Sequence, residues 1–147
     1  MKKDARLFSV GYDSLGHEDA DIDFDENGNM IMVEGPAYVE QSVIKALHTK
    51  LKTWGYGSML HDIIGSKNMD LVRAAAIYSA KRCIEFVAWL QHQHAALQEM
   101  EPEELLAEGI QVAVKPNRSN SQIILETVLR TDDGKDHEVS TSVMELR

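Results

Sequence analysis

A single cysteine, Cys83, stands in 147 residues, so no disulfide can close within the chain and no cysteine-based metal centre is available. Its apolar, helix-patterned flanks read as a buried and inert thiol. Apolar runs are short, and none approaches the ~20 residues that a membrane span requires. Met1 to Val10 carries two lysines but no apolar stretch of signal-peptide length, so synthesis and retention in a cytosol are expected. Bases are scarce: 15 Lys and Arg face 24 Asp and Glu, for a formal net charge of −9. Without a basic arm, the chain is a poor primary binder of nucleic acid or of anionic membranes.

The motifs of common catalysts are missing too. There is no Gly-x-Ser-x-Gly elbow, no phosphate-cradling glycine loop and no His-Glu-x-x-His pairing. His92 and His94 are two apart and point to different helix faces, while His48 and His61 fall on separate elements, so the histidines read as solvated or core residues. Carboxylates are plentiful but lie in runs, and nothing in the sequence tunes a pair for hydrolysis. No catalytic residue and no cofactor are expected.

What is present is an ordered α+β pattern. A length of 147 residues and 44% hydrophobic content fit one domain with one core. Residues 1–20 are polar and read as a flexible N-terminal arm. Residues 21–147 read as one unit, helical to about residue 108, with strands in 109–147. Ile22 and Phe24 alternate with Asp21, Asp23 and Asp25 as a half-buried strand. Asn27-Gly28 predicts a tight hairpin turn with positive φ at both central residues, and Met30 to Val33 is the return strand.

Gly35-Pro36 then opens a helix whose stripe is Val39, Val43, Leu47 and Leu51, stopped by Gly55 and Gly57. Ser58 caps a short helix from Met59 to Ile64. The longest helix spans about residues 69–98, with Met69, Val72, Ala76, Cys83, Phe86, Val87, Leu90, His94 and Leu97 on its apolar face. Pro102 starts a short acidic helix, Glu103 to Ala107, ended by Gly109. Strands at 110–114, 122–130 and 139–144 follow, with an Asp133-Gly134 turn between the last two. The expectation is an N-terminal β-hairpin, a helical middle with one long helix and a small C-terminal antiparallel sheet.

One string competes with the hairpin. Asp23, Asp25, Asn27 and Glu34, with Gly28 at the sixth position, match an EF-hand calcium loop. That loop needs a helix on each side. Upstream there is no helical stripe, and Gly35-Pro36 breaks the chain directly after Glu34. The hairpin is therefore the preferred reading and calcium binding the alternative.

Three landmarks stand in order: the acidic Asn27-Gly28 turn leading into the Pro36 helix; Leu51-Lys52-Thr53-Trp54 followed by Tyr56-Gly57-Ser58-Met59-Leu60; and Met100-Glu101-Pro102 followed by strand, loop and strand. This order resembles the baseplate wedge and sheath-initiator family of contractile phage tails, the lysozyme-like wedge proteins, which have an equivalent in type VI secretion baseplates. The resemblance covers about residues 21–146.

It implies a virion tail-baseplate component assembled in the host cytoplasm, with several copies around a sixfold baseplate and no enzymatic activity. The helical half would meet the wedge scaffold near the tail tube, with Trp54, Tyr56, Glu101, Pro102 and Glu103 at the contact. The C-terminal strands, through Val139, Thr141 and Val143, would receive strands of the first sheath ring. Glu103 stands where the family typically has arginine, and a carboxylate cannot make an arginine's bidentate contact. The family's label also names a cell-wall hydrolase as a further, disfavoured alternative.

Overall fold

A computed structural model describes residues 4–5, 7–12, 18–22, 25–30, 32–63, 69–117 and 122–144. The chain is α+β, with small strand pairs first, helices in the middle and a three-stranded antiparallel sheet last. The elements are β1 (Asp4–Ala5), β2 (Leu7–Tyr12), β3 (Glu18–Ile22), β4 (Met32–Val33), α1 (Pro36–His48), α2 (Leu60–Ile63) and α3 (Met69–Ala95). A 3-10 turn, Pro102–Glu104, leads into β5 (Leu106–Asn117), β6 (Gln122–Thr131) and β7 (Asp136–Met144).

The core lies between one face of the sheet and the helices. In the register Val112–Thr127–Val139 and Val114–Leu125–Thr141, alternate residues of all three strands point the same way, as the two-residue period of a strand requires. Val114, Ile123, Leu125, Leu129, Val139 and Val143 are buried on that face. They meet Val39, Val43 and Leu47 of α1 and Val72, Ala76, Ala80, Ile84 and Val87 of α3. The opposite face is solvated and held by Lys115–Glu126 at 2.9 Å and by Arg130 with Asp136 at 2.9 Å and Glu108 at 3.4 Å. Exposed pairs of this kind add at most about 1 kcal/mol each; burial of the apolar face provides the stability.

Several local expectations are corrected. Residues 4–5, 7–12 and 18–22, read from sequence mostly as an unpaired polar arm, form strands: β2 pairs with β3, and β1 pairs with β4. Among the described residues, the named strands on either side of Asn27-Gly28, β3 and β4, pair with β2 and β1. The turn itself is present but centred one residue earlier. The Gly28 N–H donates to the Asp25 carbonyl at 3.0 Å and the Asp25 N–H to the Asn29 carbonyl at 2.8 Å, so Glu26 and Asn27 are central and Gly28, at φ 80°, takes the bulge position. Between β6 and β7 the chain repeats this loop at Thr131 to Lys135, with Gly134 at φ 85°.

Helix α1 ends at His48, not beyond Leu51. The Thr49 hydroxyl donates to the Lys45 carbonyl at 2.6 Å, and Leu51 emerges 44% exposed. Helix α3 ends at Ala95; His94 is exposed, and Leu97, at 86% exposure, leaves the apolar stripe altogether. The inner face of α3 also holds Ala80, Ile84 and Gln91, which the expected stripe omitted.

The acidic helix Glu103 to Ala107 shortens to a 3-10 turn because strand β5 already begins at Leu106. Gly109 lies inside β5 at an irregularity in register. A Cβ there would sit 3.2 Å from Ile84 Cγ2, so glycine lets β5 press against α3.

Candidate functional site

The segment after α1 folds back as a tight loop. The Leu51 N–H donates to the Ser58 carbonyl at 3.0 Å, Ser58 N–H to Thr49 at 2.8 Å and Lys52 N–H to Tyr56 at 2.7 Å. Its two glycines are demanded by geometry. At Gly57, φ is 106° and a Cβ would lie 2.7 Å from the Thr49 carbonyl oxygen. At Gly55, φ is 104° and a Cβ would lie 2.8 Å from the Phe86 ring. Buried Ser58 locks the loop to α1 by donating to the Leu47 carbonyl at 2.6 Å, and Ser79 of α3 accepts the Met59 N–H at 2.9 Å.

This loop holds an aromatic cluster against α3. Trp54 stacks on Tyr56 with centroids 5.4 Å apart, and Phe86 meets both rings in T-shaped contacts. Phe86 also meets Trp89 at 5.5 Å. Trp54 and Trp89 are more than half exposed, as are Tyr78 and Leu71 farther along α3, with Met59 close behind. Between loop and helix lies a cleft of about 270 Å³, lined by Leu51, Met59, Ile63, Tyr78, Arg82 and Phe86 among others. Apolar surface gathered in this way, instead of scattered singly, marks an interaction face. Cys83 borders the cleft but is buried, and burial pushes its thiol up to about 12, so it carries no nucleophile at neutral pH.

The second candidate surface is the sheet margin. Among the described residues β7 pairs with β6 alone and ends the three-stranded sheet, and β3 lies near it. An edge strand presents main-chain donors and acceptors to an incoming strand. Val139, Thr141 and Val143, expected as contact residues, point inward and are buried. Their side chains therefore belong to the core, and any contact along β7 runs through its backbone and through outward residues such as Glu138 and Ser140.

The remaining expected residues divide into two groups. Trp54 and Tyr56 come together in the aromatic cluster. Glu101, Pro102 and Glu103 stay exposed on the 3-10 turn, beside the start of α1. Glu104 anchors that turn: it is buried and accepts the N–H groups of Gly35 at 3.3 Å and Glu101 at 3.1 Å. Sequence reading missed Glu104, because a buried carboxylate looks like its exposed neighbours in a run of acids. It also missed Leu71, Tyr78 and Trp89, although their helical spacing forms a second apolar stripe.

Of the calcium string, Asp23 lies outside the described residues. The Asp25 carboxylate accepts the Asn27 and Asn29 N–H groups, each at 2.9 Å. The element before the loop is strand β3, not a helix. Among the described residues no group of three or more His, Cys, Asp or Glu is placed to hold a metal ion. No helix, among those residues, is long and apolar enough to cross a membrane.

Comparison of the chain with protein-family models, with curated proteins and with solved structures finds no match in any of the three.

Proposed function

We propose that this protein is a structural adaptor of a contractile-tail baseplate, joining the wedge scaffold to the first sheath ring, and not an enzyme. The observation that carries the reading is the terminal three-stranded sheet, packed by one face on the helices and ending at the long margin of β7. Strand addition at such a margin gains affinity from main-chain hydrogen bonds and tolerates partner side chains of many kinds. A second, separate surface suits an adaptor, and the aromatic loop with the exposed Glu101–Glu103 turn supplies one. The order of landmarks in the sequence supplies the family context, with partners in the wedge and the sheath.

Removing β7 would be a poor test, since its inward side chains are part of the core. Ser140→Cys is better, because Ser140 is exposed on β7 and the native Cys83 thiol is buried. The tagged variant, recovered from cells assembling tails after treatment with a short thiol-to-amine cross-linker, should carry a sheath subunit identified by mass spectrometry. Wedge proteins should co-purify without the cross-linker. Recovery of folded protein with neither partner would overturn the proposal.

A further inference from the structure

The outward stripe of α3 has an internal symmetry. Tyr78, Arg82, Glu85 and Trp89 fall within about 60° of the helix circumference at 100° per residue. All four are exposed, Tyr78 at 64% and Trp89 at 56%. Arg82 and Glu85 form no ion pair among the described residues. The midpoint between Tyr78 and Trp89 is the midpoint between Arg82 and Glu85, and both fall between Cys83 and Ile84. A second α3 laid antiparallel across that point sets each Tyr78 against Trp89 of the second copy. It also sets each Arg82 against Glu85 of the second copy. Aromatic meets aromatic twice, and base meets acid twice.

We propose that the free chain forms a two-fold dimer through this face, with α3 packed antiparallel on α3 of a second copy. A two-fold interface must be self-complementary, and the alternation of charge and aromatic character along α3 meets that demand. A partner of one charge sign would leave either Arg82 or Glu85 opposed by a like charge. Lys81 strengthens the match, since in the same register it lies one residue from facing Glu85 of the second copy. The stripe from Leu71 to Trp89 is about 27 Å long at 1.5 Å per residue, long enough for an extended helix-to-helix contact. The Trp54 loop stands beside it, so Trp54 and Met59 would widen the apolar contact on both copies. Pairing would cover an apolar face that is otherwise exposed to water. The proposal does not depend on the baseplate reading.

Sedimentation equilibrium of the full chain, from about 1 to 100 µM to span ordinary weak-to-moderate association, tests it. A monomer–dimer equilibrium is expected. Arg82→Glu and Glu85→Arg should each weaken the dimer by about tenfold or more, because each sets like charges face to face. The double variant Arg82→Glu with Glu85→Arg should recover the affinity, since the pair is merely exchanged. Both positions are exposed on a helix, so circular dichroism should confirm unchanged folding. A chain that stays monomeric throughout, single reversals without effect, or a double variant as weak as the singles would each overturn the proposal. None of these results bears on the recovery of sheath or wedge proteins by the Ser140→Cys variant.

Discussion

Gly57 illustrates how one residue can hold a surface together. Its φ of 106° is strained for any side chain, and the space a Cβ needs is already filled by the Thr49 and Lys50 carbonyls. Backbone carbonyls cannot swing aside as a long side chain can. Gly57→Ala is therefore expected to destabilise the protein by roughly 1–3 kcal/mol, the usual range for such strain. It should also loosen the Trp54–Tyr56 stack. Urea denaturation followed by tryptophan fluorescence measures both effects, and an unchanged midpoint with an unchanged native spectrum would contradict this account. Gly28 and Gly134 share positive φ but have open space around them, so the same substitution there should meet backbone strain alone. The sequence marks all of these positions as glycine and does not distinguish the two situations, because the difference lies in what packs against them.

Among elements, the end of α3 is tied to the β6–β7 turn through His92. One ring nitrogen lies 2.7 Å from the Ala88 carbonyl and the other 2.8 Å from an Asp132 carboxylate oxygen. Only the imidazolium has a proton for both. The hydrogen bond to Ala88, then the one to Asp132, raises the His92 pKa above its usual value. A raised folded-state pKa adds stability that is complete below the unfolded value, near 6.5, and fades as pH climbs through the folded value. The wild-type advantage over His92→Gln should thus be largest near pH 5 and vanish at alkaline pH. The ring is 41% exposed, so solvent screening limits the advantage to about 1 kcal/mol or less. Thermal melts of both proteins across that range provide the check, and a difference that grows with pH would refute the assignment. In the sequence, His92 reads as a solvated histidine at the end of a helix. Its carboxylate partner is 40 residues away, and no local pattern reveals that contact.

At the scale of the whole molecule, the strands before α1 bear on the calcium alternative. The string from Asp23 to Glu34 has the right residue types, yet β3 precedes it and β4 lies within it, each paired to a strand outside the loop. An EF-hand presents its ligands from a loop braced by two helices. Calorimetric titration with Ca²⁺ to about millimolar, the weak end of the EF-hand range, is expected to give no binding heat. Saturable heat that disappears in Asp25→Ala would reinstate the metal site. Residues 25–30 are exposed around a tight turn, in which Asp25 Oδ1 accepts the N–H groups of Asn27 and Asn29.

From Pro36 onward the sequence by itself determined most kinds of element and their order, whereas the strands within residues 1–20 read as a polar arm. Helix, strand and turn follow from short-range periods and from glycine and proline, and these act within a few residues of themselves. That is why the α+β class, the start of α1 at Pro36, the long α3 and the turn-linked terminal strands were all legible. Val139, Thr141 and Val143 face the core, as their alternation with Glu138, Ser140 and Ser142 already indicates, so their assignment as contact residues runs against the strand period. Tertiary structure alone decided that β1 pairs with β4, since Asp4 and Val33 are far apart along the chain. It also decided that Glu104 is buried while Glu101 and Glu103 are not, and that Trp54, Tyr56, Phe86 and Trp89 share one surface. The residue types were visible from the start; the packing of a loop against α3 set their environment.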